Sequence, residues 1–116
     1  MEVEGAGAIV SGGASGLGEA TVRRLKKDMR LATGGVPAVN VTDEDGVQAA
    51  VDAVDAPRGL RNGVACAGIG WAQRVTGKQG PHPLDLFRNV IEVNVIGTFN
   101  LMRLAATRMN GNEPDE

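Results

Sequence analysis

A glycine-rich turn near the amino terminus constrains the fold of this chain more than any other sequence feature. The turn runs from Gly12 to Gly18, between the apolar segment 5–10 and a helical pattern. A tight strand-to-helix turn needs glycine wherever a Cβ would block the backbone. The helix behind it offers free N–H groups and a partial positive charge of roughly +0.5 at its first turn. The segment therefore predicts a strand–turn–helix unit that can hold a phosphate against its backbone.

Other glycine motifs fit this turn less well. Two of its glycines have the spacing of a P-loop, but Glu19 and Ala20 stand where that motif has Lys and Ser or Thr. The nucleophile-elbow motif around Ser15 is not met, because Leu17 occupies its last glycine position. A plain structural turn stays an alternative, whereas a dinucleotide-binding turn agrees with the strand before it and the helix after it.

The composition is that of an ordinary globular protein, with 42% hydrophobic and 22% charged residues. A chain of 116 residues is enough for one small domain, which we assign to residues 1–116. The net charge of −2, without blocks of like charge, argues against nucleic acid or an anionic membrane as partner. Cys66 and His82 are the only cysteine and histidine, so we expect neither a disulfide nor a metal site, in a reducing, cytoplasmic location. The short apolar runs predict neither a signal peptide nor a membrane span.

Strand and helix signals alternate along the chain, which predicts an α/β fold with a Rossmann-type parallel sheet and helices on both faces. A hydroxyl cap followed by acids marks one helix start, and a proline marks another. In chain order the predicted elements are a strand at 5–10 that ends at Ser11, a helix from the turn to Gly34-Gly35, a strand at 36–41, a helix from Thr42 to about Val54, a strand at 63–67, a loop at 69–82 and a long helix from Pro83 to about Asn110.

Four short motifs resemble the short-chain dehydrogenase/reductase family. The turn has that family's glycine spacing, with Ser11 in place of its threonine. Residues 40–43 (Asn-Val-Thr-Asp) are similar to its Asp-Val-Thr-Asp, and residues 65–68 (Ala-Cys-Ala-Gly) to its Asn-Asn-Ala-Gly. Residues 94–97 match its helix asparagine motif, and the stretch 87–115 looks most like the type-2 3-hydroxyacyl-CoA dehydrogenase subgroup.

The resemblance implies a dinucleotide site and the residues around it. Asn40 and Val41 would meet the adenine, and Asn94 would help to hold a water in a proton relay. NAD is favoured, with NADP not excluded, because Ser15 is uncharged where a basic residue could meet a 2′-phosphate. Plainer roles stay open: Asn94 as a helix residue bonded to a neighbouring backbone, and Cys66 as a small filler at a strand end. The implied cofactor-binding residues are Gly12, Ser15, Gly16, Leu17, Gly18, Asn40, Val41, Cys66, Ala67 and Gly68.

The resemblance further implies an NAD(P)-dependent oxidoreductase that transfers hydride between nicotinamide and a secondary alcohol or ketone, such as a 3-hydroxyacyl thioester. The family's acid/base is a Tyr assisted by a Lys and a Ser, and this chain contains no tyrosine. We therefore expect the N-terminal half of such an enzyme, inactive as an isolated chain. The alternative is a non-catalytic nucleotide-binding module that forms a homo-oligomer through the helix at 83–110.

The interval between Gly18 and Val36 is shorter than the helix, strand and second helix that the family places there. One interpretation is a single fused helix at 16–33 that feeds the strand at 36–41, lying parallel to the first strand. A fused helix keeps its apolar residues on one face across the whole interval. Those residues are Ala20, Leu25, Met29 and Ala32.

The two interpretations of this interval place the ribose contact differently. After a fused helix, the next strand would bring Asn40 or Asp43 to the usual distance of an acidic ribose ligand from the glycines. The competing interpretation is a helix that ends near Lys27, followed by a stunted strand at 29–33. The ribose contact would then lie near Asp28.

Overall fold

The computed structural model describes residues 3–28, 30–31 and 39–114. In chain order its elements are β1 (Gly7–Ser11), α1 (Gly16–Leu25), β2 (Arg30–Leu31), α2 (Glu44–Asp52), β3 (Leu60–Ala65), β4 (Thr76–Gly77), β5 (Gly80–Pro81), α3 (Leu84–Ile91), a π-helical segment (Glu92–Gly97) and α4 (Thr98–Met109).

Three strands form a parallel sheet in the order β2, β1, β3. The pairing of Ala8 with Leu31 places β2 along the amino-terminal part of β1. On the other side, β3 accompanies β1 to its end, where Ser11 lies opposite Ala65. Because the strands are parallel, the carboxyl ends of β1 and β3 meet at one edge of the sheet. The α/β fold with a Rossmann-type parallel sheet is confirmed.

Helices cover both faces of this sheet, because alternate side chains of β1 point to opposite sides. Ile9 packs into the main core with residues of α2 and α4. Ala8 belongs to a second cluster, against which Leu25 of α1 packs. Val51 and Leu60 of the main core are fully buried, and each such aliphatic side chain stabilises the fold by about 1.5–3 kcal/mol. The main cluster consists of Ile9, Val47, Ala50, Val51, Val54, Leu60, Leu101, Leu104 and Ala105.

The fused helix predicted at 16–33 is wrong. The helix α1 ends at Leu25, a turn follows, and Arg30 and Leu31 are extended and hydrogen-bonded to β1. The free edge of β1 carries N–H and C=O groups that need partners, and pairing with β2 supplies them. A periodic pattern of apolar residues does not indicate whether a neighbouring strand needs hydrogen-bond partners. Met29, Ala32 and the expected helix end at Gly34-Gly35 lie outside the described residues.

The strand predicted at 36–41 is also wrong in its described part. Residues 39 and 40 have no regular structure, Val41 lies in a turn, and β2 occupies the expected place beside β1. The side-chain oxygen Oδ1 of Asn40 accepts hydrogen bonds from the backbone N–H of Thr42 at 3.0 Å and from its hydroxyl at 2.8 Å. Asn40 therefore starts a turn, a role that asparagine performs with its own side chain. Residues 36–38 lie outside the described residues.

The remaining predicted elements are present with shifted bounds. The helix α2 has Asp43 as its N-cap instead of Thr42 and ends at Asp52 instead of Val54. The hydroxyl of Thr42 is bonded to Asn40 and is therefore not used as a cap. The strand β3 starts and ends earlier than the predicted 63–67, and the loop at 69–82 contains a short antiparallel hairpin of β4 and β5.

The long helix predicted from Pro83 to about Asn110 is confirmed as α3, the π-helical segment and α4 in succession. Its sequence pattern did not predict the π-helical turn. One side of α4 packs on the core through Leu101, Leu104 and Ala105. The apolar stripe on this helix is largely exposed, and consists of Leu84, Phe87, Ile91, Val95, Phe99 and Met102.

Candidate functional site

An open cleft of about 770 Å³ lies where the carboxyl ends of β1 and β3 meet. Ligands of open parallel sheets bind at this edge, outside the carboxyl ends of the strands. The cleft is lined by all ten residues predicted to contact the cofactor, namely Gly12, Ser15, Gly16, Leu17, Gly18, Asn40, Val41, Cys66, Ala67 and Gly68.

Three glycines of the turn are required for three different reasons. Gly12 has a positive φ of 67°, and a Cβ there would lie 2.8 Å from the backbone nitrogen of Ala67. A Cβ on the buried Gly18 would overlap the carbonyl oxygen of Gly12, so glycine lets α1 pack against the turn. Gly16 has a positive φ of 53°, but a Cβ there would meet no atom within 4 Å. Gly12 and Gly18 thus maintain the turn, and Gly16 leaves its backbone open to the cleft.

The first turn of α1 begins beside this open glycine. Ser15 is the extended N-cap residue, and its side chain makes no capping hydrogen bond. Its carbonyl oxygen accepts the N–H of Glu19 at 3.1 Å. The side chain of Leu17 is 84% exposed and lines the cleft. The helix N-terminus therefore opens into the cleft, where its N–H groups favour an anion.

Ser11 holds the two strand ends together, a role that the sequence analysis missed. Its hydroxyl oxygen accepts the backbone N–H groups of Cys66 and Ala67, each at 3.2 Å. Its carbonyl oxygen also accepts the N–H of Cys66 at 3.2 Å. The available signal was a small hydroxyl residue at the end of a strand that must approach the next strand closely. Cys66 itself is half-buried at the end of β3 and lines the cleft.

Asn94 contacts the wall of the cleft without lining it. Its Oδ1 accepts the backbone N–H of Ile69 at 2.8 Å, and its Nδ2 donates to the carbonyl of the same residue at 2.7 Å. Its side chain thus bonds the backbone of a residue 25 positions away, which is not the local bond of the plainer interpretation. The role of Asn94 in holding a water stays a prediction.

Asn100 bonds the opposite wall of the cleft and was not predicted as a site residue. Only 6% of its surface is exposed. Its Nδ2 donates to the carbonyl oxygen of Val41 at 2.9 Å, and its Oδ1 accepts a guanidinium N–H of Arg103 at 2.8 Å. Arg103 continues to the carboxylate of Glu44 at 3.1 Å. These contacts join residues 59 positions apart, which no local pattern reveals.

The described lining of the cleft carries no formally charged side chain. Of the three candidates for a ribose contact, only Asn40 lies in it. Asp43 is exposed at the start of α2 and does not line the cleft. Asp28 precedes β2, at the opposite edge of the parallel sheet, and is ion-paired with Arg24 at 2.9 Å. Asp28 therefore does not line the cleft.

The part of the chain that the structure describes contains no group of three or more His, Cys, Asp or Glu residues that could hold a metal ion. None of its helices is both long enough and apolar enough to span a bilayer.

Comparison of the sequence with known families shows to which family this chain belongs. Residues 1–113 match a family model described as enoyl-(acyl carrier protein) reductase. This chain belongs to the short-chain dehydrogenase/reductase family. The parallel sheet, the glycine turn and the cleft at the carboxyl edge of the strands are the parts of that family's fold that the chain contains.

Within this family, the chain is similar to several proteins named 3-hydroxyacyl-CoA dehydrogenase type-2. The 3-hydroxyacyl-CoA dehydrogenase type-2 of Bos taurus is 38% identical over 137 positions, covering 98% of this chain and 52% of the relative. The protein of the same name from Drosophila melanogaster is 36% identical, over 98% of this chain and 53% of the relative. The crystal structure of 3-hydroxyacyl-CoA dehydrogenase type-2 from Mycobacterium avium superposes with a TM-score of 0.87 at 38% identity, covering 99% of this chain and 54% of that one.

The chain spans about half the length of these relatives and is shortened internally. The alignment with the bovine protein extends over 137 positions, more than the 116 residues present here. The relatives therefore contain residues, within the matched region, that have no counterpart in this chain. This agrees with the short interval between Gly18 and Val36.

Proposed function

We propose that this chain forms the nucleotide-binding half of an NAD(P)-dependent dehydrogenase that acts on acyl thioesters. The observation that carries the proposal is the open backbone of Gly16 beside the N-terminus of α1, at the carboxyl edge of a parallel sheet. A pyrophosphate needs such a place, because N–H groups must approach it without an intervening Cβ. Gly12 and Gly18 maintain the turn that creates this space.

The residues around the turn fit a dinucleotide on both sides of the pyrophosphate. On one side, Asn40 and Val41 would form the wall against one nucleoside, which the resemblance assigns to adenosine. On the other side, Ala67 and Gly68 extend the cleft toward the loop that Asn94 bonds. The bound nicotinamide would supply the hydride acceptor or donor. The chain's own contribution is to bind and orient it.

The proposed substrate class rests on the names of the relatives. The curated relatives at 36% to 39% identity are 3-hydroxyacyl-CoA dehydrogenases, and the family model is described as an enoyl-(acyl carrier protein) reductase. Both names denote acyl chains carried as thioesters, although the bond that is oxidised or reduced differs. The identity of 38% to the bovine dehydrogenase favours oxidation of a 3-hydroxy group to a ketone. The acid/base for that step would have to come from outside the present sequence, which contains no tyrosine.

A titration of the full chain with NADH, followed by the fluorescence of the reduced nicotinamide, tests the nucleotide site. We expect saturable binding that ADP-ribose displaces, since both molecules carry the pyrophosphate. The control is the same titration after thermal unfolding of the chain. A linear, unsaturated response, or a signal that ADP-ribose does not displace, would show that the cleft is not a dinucleotide site.

The second candidate function is a non-catalytic module that assembles into a homo-oligomer through the helix at 83–110. The exposed apolar stripe on that helix favours it, because Phe87 and Phe99 are 54% and 57% exposed and such contiguous patches mark interaction sites. Sedimentation analysis distinguishes a monomer from a dimer. If the chain dimerises and Phe99→Asp restores the monomer without changing NADH binding, the stripe and the cleft serve separate functions.

A further inference from the structure

The described residues 39–43, which form the Val41 wall of the cleft, contain no strand. Residues 39 and 40 are irregular, and Val41 lies in the turn that Asn40 initiates. The hydrogen bonds within this segment are local, such as that from the N–H of Asp43 to the carbonyl of Asn40 at 2.9 Å. Local bonds fix the shape of a turn but not its position relative to the glycine turn across the cleft. That position requires an anchor on a rigid element.

The helix α4, which shares the main core with α2 on one face of the sheet, supplies such an anchor. Asn100 donates to the carbonyl oxygen of Val41 at 2.9 Å, and its own oxygen is bonded to Arg103. The donor and the acceptor of this buried amide both form hydrogen bonds. Removing either bond would leave a buried polar group without a partner, because water does not reach it, and this destabilises the contact. Arg103 also reaches Glu44 in the first turn of α2 at 3.1 Å. The side chains of this ion pair are 38% and 71% exposed, so the pair contributes little, and the turn is held to α4 mainly at Val41.

Gly97 fixes the distance of approach between the same two elements. A Cβ built on Gly97 would overlap Cγ2 of Val41 and lie 3.1 Å from its Cβ. The Val41 side chain therefore rests on bare helix backbone, at the last residue of the π-helical segment. Any side chain at position 97 would push the wall away from the helix and into the cleft.

We infer that Asn100 and Gly97 are positioning residues that set the Val41 wall at the distance required by the adenosine half of the bound dinucleotide. This inference rests on the proposed dinucleotide site. Neither residue lines the cleft, so both act through Val41. A change at either position alters the binding of one half of the ligand and leaves the other half unaffected.

Asn100→Asp tests the hydrogen-bonding anchor with little change in shape. The carboxylate still accepts from Arg103, but it cannot donate to Val41 and places an oxygen against its carbonyl. We expect AMP and NADH to bind about tenfold more weakly, the order of a hydrogen bond lost in a buried site. The affinity for reduced nicotinamide mononucleotide should stay unchanged. Ligand-detected NMR measures both half-ligands, and circular dichroism verifies that the variant is folded.

Gly97→Ala is the second variant, and Arg103→Gln is the matched control. Gly97→Ala should weaken AMP and NADH binding in the same selective way, whereas Arg103→Gln, which leaves the Asn100–Val41 bond in place, should change AMP binding less than twofold. The inference is overturned if the folded Asn100→Asp variant keeps its AMP affinity, or loses affinity for both half-ligands equally. If Asn100→Asp does not fold, the same two outcomes for Gly97→Ala overturn it. A wild-type chain that binds neither NADH nor AMP would instead refute the proposed function.

Discussion

At the scale of single residues, the glycines of the turn are needed for different reasons: the fold requires Gly18, whereas Gly16 is open to a ligand. Gly18 lies where a Cβ would collide with backbone, so the fold itself excludes other residues there. Gly16 has room for a side chain and only a left-handed backbone to discourage one. A glycine with empty space around it is the one that a ligand would use, since only a bound molecule would be blocked by its replacement.

Gly16→Val is therefore expected to weaken NADH binding more than tenfold and to leave the fold largely intact. The added side chain would occupy the space proposed for the pyrophosphate, and the positive φ would cost about 1–3 kcal/mol of backbone strain. Fluorescence titration measures the first effect and thermal denaturation the second.

Gly80→Val is the matched control for that variant. Gly80 also has a positive φ, 110°, and a Cβ there would meet no atom within 4 Å, but it lies in the hairpin away from the cleft. It should show at least as much backbone strain, because a φ of 110° lies outside the left-handed region open to other residues, and unchanged NADH affinity. Equal NADH affinity in Gly16→Val and the wild-type chain would remove the pyrophosphate from this turn.

At the scale of elements, the short strand β2 changes the region in which a ribose is expected. The described part of the strand ends at Leu31, which lies opposite Ala8 of β1. Between Leu31 and Asn40 the sequence contains no acidic or basic residue. An acid in this region hydrogen-bonds the ribose 2′-hydroxyl of NAD, and an Arg accommodates the 2′-phosphate of NADP. The chain has neither group there.

We accordingly expect only weak discrimination between NADH and NADPH, with a ratio of dissociation constants below about tenfold. A hydrogen bond to a charged group contributes roughly 1.5–3 kcal/mol, and neither cofactor would gain it. Parallel fluorescence titrations with the two reduced cofactors measure the ratio. A preference above a hundredfold for either one would mean that a charged side chain outside this interval reaches the ribose.

At the scale of the whole molecule, the chain contains a cleft at the carboxyl edge of its sheet and an exposed apolar helix face, and it spans only half the length of its relatives. The apolar stripe from Leu84 to Met102 lies on the same continuous helix whose other side carries Asn94, Gly97 and Asn100. This helix thus links the cleft to a surface that is available for packing against further protein.

The isolated chain is expected to bind NAD without oxidising 3-hydroxyacyl-CoA. It has no tyrosine to exchange the proton of the substrate hydroxyl. The assay is the appearance of NADH, with a full-length 3-hydroxyacyl-CoA dehydrogenase type-2 as the positive control. Turnover clearly above that of a heat-denatured sample, in a preparation free of host dehydrogenases, would contradict this expectation and require another acid/base among the residues present.

Much of the site could be predicted from sequence because its requirements are local. The glycines between Gly12 and Gly18 are needed by the turn that contains them. The apolar runs of β1 and β3 predict that these strands are buried. The resemblance to the family then located Asn40, Val41 and the end of β3. All of these residues line one cleft, because parallel strands bring their carboxyl ends to the same edge.

The tertiary structure alone decided the features that depend on distant segments. A strand at 29–33 is one of two interpretations of the sequence, and it is the pairing of Arg30 and Leu31 with the edge of β1 that decides for it. The same reason explains why the helix stops at Leu25 although apolar spacing continues beyond it. The bonds from Ser11 to β3 and from Asn100 to Val41 join residues more than 50 positions apart. Sequence determined which groups can bond, and the packing of helices on the sheet determined which of them meet.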